Sequence, residues 1–213
     1  MQITVFGAAG AVGSRVVTEA LNRGHSVRAV SRSIERLRGL PEEVELWEGD
    51  ASDPAAVEKA ATGADLVISA TRPAPGSEHE LAEAAAALLA GLVGTGARLL
   101  VVGGAGNLVV AGTGRTLAEQ PDFPAELGPI AEGCKRQFQV FHEAADHTVT
   151  WTYLSPAALL EPGIRTGAYR RGTDELIADE EGNSAISMED LAVALLDEAE
   201  QPRHHRARFT VGY

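Results

Sequence analysis

The chain has 213 residues, 45% hydrophobic and 23% charged, with a formal net charge of −12. That length fits one domain with a sizeable core, and the acidic balance argues against a general nucleic-acid or anionic-membrane binder, because phosphate would be repelled. The single cysteine, Cys134, excludes an intramolecular disulfide and a cysteine-based zinc cluster.

A strand is predicted at Gln2–Phe6 and ends at once in Gly7-Ala8-Ala9-Gly10-Ala11-Val12-Gly13. A buried strand that turns on glycines into a helix is a phosphate-binding device. Gly7 permits the tight turn, Gly10 lets a pyrophosphate approach the backbone, and Gly13 lets the helix lie close to the strand. The free N–H groups of that helix, around Ala9, Ala11 and Val12, then face the anion. A helix follows over Ala11–Arg23, a strand over Ser26–Val30 and another over Val44–Trp47. Asp53-Pro54 reads as N-cap and first residue of a helix over Pro54–Ala60. Then come a strand at Leu66–Ser69, a helix at Glu78–Gly94, a strand at Arg98–Val102, a helix at Ile130–Ala145 and a strand at Thr148–Leu154. Ser187 opens a last helix over Met188–Glu200, with Glu189 and Asp190 complementing its dipole.

Strands alternating with helices imply right-handed crossovers and a doubly wound parallel sheet, an α/β Rossmann-type fold with strand order 3-2-1-4-5-6. The whole chain, residues 1–213, reads as a single NAD(P)-binding domain. Two Gly- and Pro-rich stretches break the alternation, 104–129 and 155–187. Ligands in open α/β sheets sit beyond the carboxyl ends of strands, so these stretches are the natural walls of a substrate pocket, the second an extended C-terminal segment.

The cofactor type is read at the end of the second strand. An NAD site places an acid there, whereas this chain has Ser31-Arg32-Ser33. The Arg32 fork can pair with a 2′-phosphate, and the serines can donate to it, which favours NADP(H) over NAD(H). Arg28 is a weaker candidate for the same role. Asp50, with Ala51 after it, can hold an adenine amino group or serve as a loop acid. Ala70, Thr71 and Arg72 follow the fourth strand, where small residues let the chain run beside a ribose. Gly103 and Gly104, followed by Ala105-Gly106-Asn107, let a nicotinamide ring lie close, or form a flexible loop.

These residues resemble a known family. Gly7-x-x-Gly10-x-x-Gly13, Val30-Ser31-Arg32, Gly49-Asp50, Val101 to Gly106, Trp151 to Ala157 and Arg165-Thr166-Gly167 occur in the order seen in the atypical short-chain dehydrogenase/reductases. The match is to the NAD(P)H-flavin reductase branch, akin to the flavin/biliverdin reductases. It covers essentially the whole chain, through Ile186-Ser187 to a final strand at Phe209-Thr210-Val211. The resemblance implies a Rossmann fold, bound NADP(H), cofactor contacts from Ser155-Pro156, and hydride transfer to a flavin-like or quinone-like ring. Flavin is expected as substrate rather than as a tightly held cofactor.

The chain departs from the wider superfamily's Tyr-x-x-x-Lys pair and its serine. Lys135 can match the lysine, but Ala131 stands four residues before it. Tyr153 has no lysine four residues on, and Asn107 stands where the branch commonly has serine. This weakens alcohol–ketone chemistry more than flavin reduction, since reduced flavin can take its proton from water. Lys135, Tyr153, Tyr169 and Asn107 remain the catalytic candidates, with Tyr169 able to stack on a planar substrate or donate a proton. Arg165 can steer an anionic substrate group. A non-catalytic NADP(H)-binding redox sensor, similar to the nitrogen-metabolite-repressor-like regulators, fits the same departures. So does a cyclase, dehydratase or epimerase on this fold.

Cys134 beside Lys135 reads as a buried structural residue or as a thiol with lowered pKa. His142 and His147, five apart, do not share a helix face as a metal pair would, and no metal site is expected. The run Leu81 to Val93 is too short to span a bilayer, carries Glu83, and reads as a close-contact face or subunit contact. No basic-then-apolar leader precedes the first strand. A cytoplasmic enzyme acting on a small molecule, with no nucleic-acid or membrane partner, monomeric or homodimeric, is expected.

Overall fold

The computed structural model describes residues 1–144 and 148–213. Ala145 and His147, named above for a helix end and a histidine pair, lie outside the described residues.

The elements run β1 (Gln2–Phe6), α1 (Ala11–Asn22), β2 (Ser26–Ser31), β3 (Glu45–Glu48), α2 (Pro54–Ala61), β4 (Leu66–Ser69), α3 (Glu80–Gly91), β5 (Arg98–Val102), α4 (Gly128–Glu143), β6 (Trp151–Ser155), β7 (Leu159–Glu161), β8 (Arg170–Gly172), β9 (Ala185–Ser187), α5 (Met188–Glu200) and β10 (Ala207–Gly212). The main sheet has the order β3-β2-β1-β4-β5-β6-β10-β8. Its first seven strands are parallel and β8 runs antiparallel at the edge. The sequence gives the first six positions of this order. The structure extends it by β10, which pairs with β6, and by β8. A separate two-stranded ribbon joins β7 to β9 in parallel.

Alternation along the strands sorts the core into two layers, because successive side chains point to opposite faces. Val5, Leu100, Leu154 and Phe209 share a cluster with Val16 and Val17 of α1 and Leu195 and Leu196 of α5. Their chain neighbours Phe6, Leu99 and Tyr153 fall in a second cluster with Val57, Leu88 and Phe141. So α1 and α5 cover one face, and α2, α3 and α4 cover the other.

The predicted caps form. Asp53 accepts a hydrogen bond from the Ala55 N–H with Pro54 next to it, and Ser187 accepts from the Asp190 N–H. The small residues of α3 allow close approach within the fold. A Cβ at Gly91 would lie 2.5 Å from the Pro54 carbonyl oxygen of α2. Among the described residues, no helix is long and apolar enough to cross a membrane, and no cluster of His, Cys, Asp and Glu could hold a metal ion.

Candidate functional site

A cavity of about 510 Å³ opens beyond the carboxyl ends of the parallel strands. Each turn there contributes in order: Gly7 and Ala9 to Val12 after β1, Ser31, Arg32 and Arg36 after β2, and Gly49 to Ser52 after β3. Ala70 to Pro73 follow β4, Gly103 to Gly106 follow β5, and Pro156 to Ala158 follow β6.

The three N-terminal glycines have three different surroundings. Gly7 has φ +78°, and a Cβ on it would lie 2.5 Å from the Ala70 carbonyl oxygen. A Cβ on Gly13 would lie 2.1 Å from the Gly7 carbonyl oxygen, so this glycine lets α1 sit against the turn. Gly13 itself does not line the cavity. A Cβ on Gly10 would meet a single protein atom within 4 Å, the Gly7 carbonyl oxygen at 3.1 Å. Gly10 is extended, lines the cavity and N-caps α1; no side chain caps this helix and no acid stands in its first turn. An uncapped helix N-terminus behind an open glycine fits a pyrophosphate. The structure therefore accommodates a dinucleotide on an observation of its own.

Around that centre, Asp50 Oδ1 accepts from the Ser52 N–H at 3.0 Å and from the Ser52 hydroxyl at 2.8 Å, which fixes the acid at the cavity wall. Arg32 is 57% exposed and touches Glu80 Oε2 at 3.5 Å, a weak surface contact that leaves its guanidinium able to turn. Arg36 also lines the cavity, from a 3₁₀ turn over Ile34–Leu37. The sequence reading missed it. The four-residue 3₁₀ turn that brings it there carries no local pattern that would have placed it beside Arg32. Ser33 does not line the cavity. Arg28 is committed to Glu45, to the Ala60 and Thr62 carbonyls, and to the Trp47 ring.

The glycines after β5 do other work than the sequence suggests. A Cβ on Gly103 would fall 2.0 Å from the Tyr153 ring, one on Gly104 2.9 Å from Cys134 Sγ, and one on Gly106 2.7 Å from Ala131 Cβ. They make room for α4 and a buried tyrosine, while the backbone of 103–106 still borders the cavity.

The four catalytic candidates are not brought together. Tyr153 is fully buried; its hydroxyl donates to the Cys134 carbonyl and Gln137 Oε1, at 3.1 and 3.0 Å, and burial pushes its pKa well up. Tyr169 donates to Asp197 under Arg171, away from the cavity, and its pKa is pushed up to about 12, first by burial and then by Asp197. Lys135 is exposed on α4 and does not line the cavity. The Asn107 carbonyl accepts from Arg208 at 3.2 Å, and its side chain also lies outside the lining. Ser155 is buried beneath the cavity floor, and its neighbour Pro156 lines it. Cys134 lines the cavity, but burial pushes its thiol up to about 11 against a small lowering by Arg72. The lowered-pKa reading of this residue is thereby corrected.

The two predicted walls exist and are joined. Val109 N–H donates to the Asp174 carbonyl and the Val109 carbonyl accepts from Leu176 N–H, both at 2.8 Å. Arg208 from β10 ties the joint, pairing with Asp174, donating to Asn107 and stacking 4.6 Å over Phe138. The second wall is anchored on the helices. Buried Asp190 accepts from the Thr166 and Gly167 N–H groups, both at 2.8 Å, and from Tyr213. Burial acts to raise the Asp190 pKa, but these bonds outweigh it and hold the carboxyl below its ordinary value. Arg165 forks onto Glu19 of α1 at 2.7 and 2.8 Å, so it anchors the wall rather than facing a substrate.

A nicotinamide-dinucleotide-binding α/β protein is what this sheet and this cradle define. A sequence model of the NAD(P)H-binding family matches residues 7–202. The uncharacterized protein YwnB of Bacillus subtilis is 39% identical over 99% of this chain and 98% of its own. A Bacteroides thetaiotaomicron structure provisionally named an epimerase is 39% identical, with TM-score 0.89, over 100% of this chain and 96% of that one. A Streptococcus pneumoniae structure provisionally named an NADH-flavin reductase is 31% identical, with TM-score 0.87, over 100% and 99%. The chain belongs to the NAD(P)H-binding family, and a provisionally named flavin reductase stands among its relatives.

Proposed function

We propose that the protein is an NADPH-dependent reductase that passes hydride to a planar small-molecule acceptor. The observation that carries this reading is the continuity of one cavity, from the Gly10 cradle to an apolar wall of Leu117, Phe123, Leu127, Ile130 and Leu160. The uncapped turn of α1 would hold the pyrophosphate, Ser31, Arg32 and Arg36 the 2′-phosphate, and Asp50 the adenine amino group. Thr71 and the Gly103–Gly104 backbone would border the ribose and nicotinamide. When bound, the cofactor supplies two electrons and one hydrogen as hydride and leaves oxidised. The chain orients the acceptor and excludes water from it through the two joined walls. The hydroxyls of Tyr153 and Tyr169 are turned away and the Cys134 thiol holds its proton, so the reduced acceptor would take its second proton from solvent as it leaves the site.

The test follows loss of reduced nicotinamide absorbance with NADPH and NADH against riboflavin, FMN, FAD and simple quinones. Turnover with NADPH and at least one acceptor supports the reading. Tight NADPH binding without turnover would overturn it in favour of a non-catalytic sensor. The name of the Bacteroides relative favours a third outcome, conversion of a private substrate with the cofactor retained.

A further inference from the structure

The charges in the cavity are unevenly distributed. Its cations, Arg32, Arg36 and Arg72, all stand on turns after β2 and β4, on the dinucleotide side. Two of its carboxylates stand there as well, Asp50 held by Ser52 and Glu80 in weak contact with Arg32. Apart from the Cys134 thiol of α4, which burial keeps protonated, the far side contributes apolar side chains, glycines and alanines, and one charged group, Glu161. Glu161 ends the exposed strand β7 beside Leu159 and Leu160, and its carboxylate has no ion-pair or hydrogen-bond partner among the described residues. Leu127 and Leu159, at the same mouth, are 41% and 52% exposed.

We infer that Glu161 is a charge filter, and that the acceptor is an uncharged planar ring without phosphate or carboxylate. The inference rests on the reductase reading of this cavity and narrows it. An unpaired carboxylate at this exposed rim repels a second anion at short range, most strongly at low salt. None of the cations in either wall lines the cavity to offset it. A chain with net charge −12, already holding a dinucleotide's phosphates, adds to that repulsion. The surrounding apolar side chains favour a ring that sheds water on entry. Arg72 lines the cavity with no ion-pair partner among the described residues, so it is the group by which an anionic acceptor would defeat the filter.

Riboflavin and FMN test this directly, since they share one ring system and differ by a phosphate. With cofactor-loaded protein at low salt, kcat/KM for riboflavin should exceed that for FMN by about tenfold, and the gap should shrink at high salt. In Glu161→Arg the ratio should fall at least about fivefold or invert, and in Glu161→Gln it should move part of the way. The same ratio is read by quenching of flavin fluorescence on binding, which needs no turnover. If nothing is reduced but binding still prefers riboflavin and loses that preference in Glu161→Arg, the reductase reading fails and the filter stands. FMN equal to or better than riboflavin in the parent protein, or a ratio unmoved by Glu161→Arg, overturns the filter. So does a failure of both rings to bind.

Discussion

Two neighbouring glycines should respond to the same substitution in opposite ways. At Gly10 the backbone is extended, with φ −79° and ψ 168°, a conformation any residue adopts. An added methyl would meet the Gly7 carbonyl oxygen at 3.1 Å and otherwise enter the cavity. Gly10→Ala gains up to about 1 kcal/mol from a less flexible unfolded chain, offset by that one tight contact. Its melting temperature should therefore stay within a few degrees of the parent. NADPH affinity should fall at least about tenfold, or ~1.4 kcal/mol, because the methyl stands where the anion must approach. At Gly13 the methyl would lie 2.1 Å from the same oxygen, and main chain on both sides cannot give way cheaply. Overpacking of this kind costs about 1–3 kcal/mol, which in a chain of this size is a drop of ~2–12 °C. Differential scanning fluorimetry with and without NADPH separates the two variants. Gly10→Ala binding NADPH like the parent, or melting as early as Gly13→Ala, would refute the assignment of Gly10 to the cofactor.

Arg32→Ala and Arg36→Ala should each weaken NADPH binding while leaving NADH within about twofold, read by titration of each nucleotide; equal losses for both would remove the 2′-phosphate assignment. Tyr153→Phe should lower stability by about 1–3 kcal/mol by stranding Gln137, yet leave kcat within about twofold, measured by urea unfolding alongside steady-state kinetics. A fall in kcat of two orders of magnitude would restore this tyrosine as a proton donor. Cys134 should react slowly with thiol reagents near neutrality and faster as the pH climbs toward 11, since burial holds the proton on. Fast labelling at neutral pH would contradict that environment.

The sheet was legible wherever a strand carried its own β-branched or aliphatic run, as in Leu66–Ser69 and Arg98–Val102, whose boundaries match. The Asp53-Pro54 and Ser187 starts were legible because capping is local chemistry. Strands β7, β8 and β9 were not. Each is three residues long, and Arg170–Gly172 has no apolar residue, so it is a strand only because β10 presents an edge to it. The cofactor cradle was legible through glycine spacing. The glycines after β5 were legible as cavity wall but not as packing positions, because whether a missing Cβ also makes room for a neighbour depends on Tyr153 and on α4, which arrive more than twenty residues later.

The catalytic candidates were misplaced for a related reason. Tyr153 lies in β6, and strand alternation alone places it on the face of Phe141 and Val101, opposite Leu154. A tyrosine inside a central parallel strand is surrounded by core on either face, so its hydroxyl reaches solvent or a ligand only from the last residue or beyond. The run Trp151 to Ser155 is buried throughout, and the first cavity-lining residue after it is Pro156. The same geometric rule that located the pocket, ligands beyond the carboxyl ends of strands, therefore excluded Tyr153 before any coordinates. Applied to β7, it keeps Glu161, the last residue of an exposed strand in a cavity wall, as the group to test first.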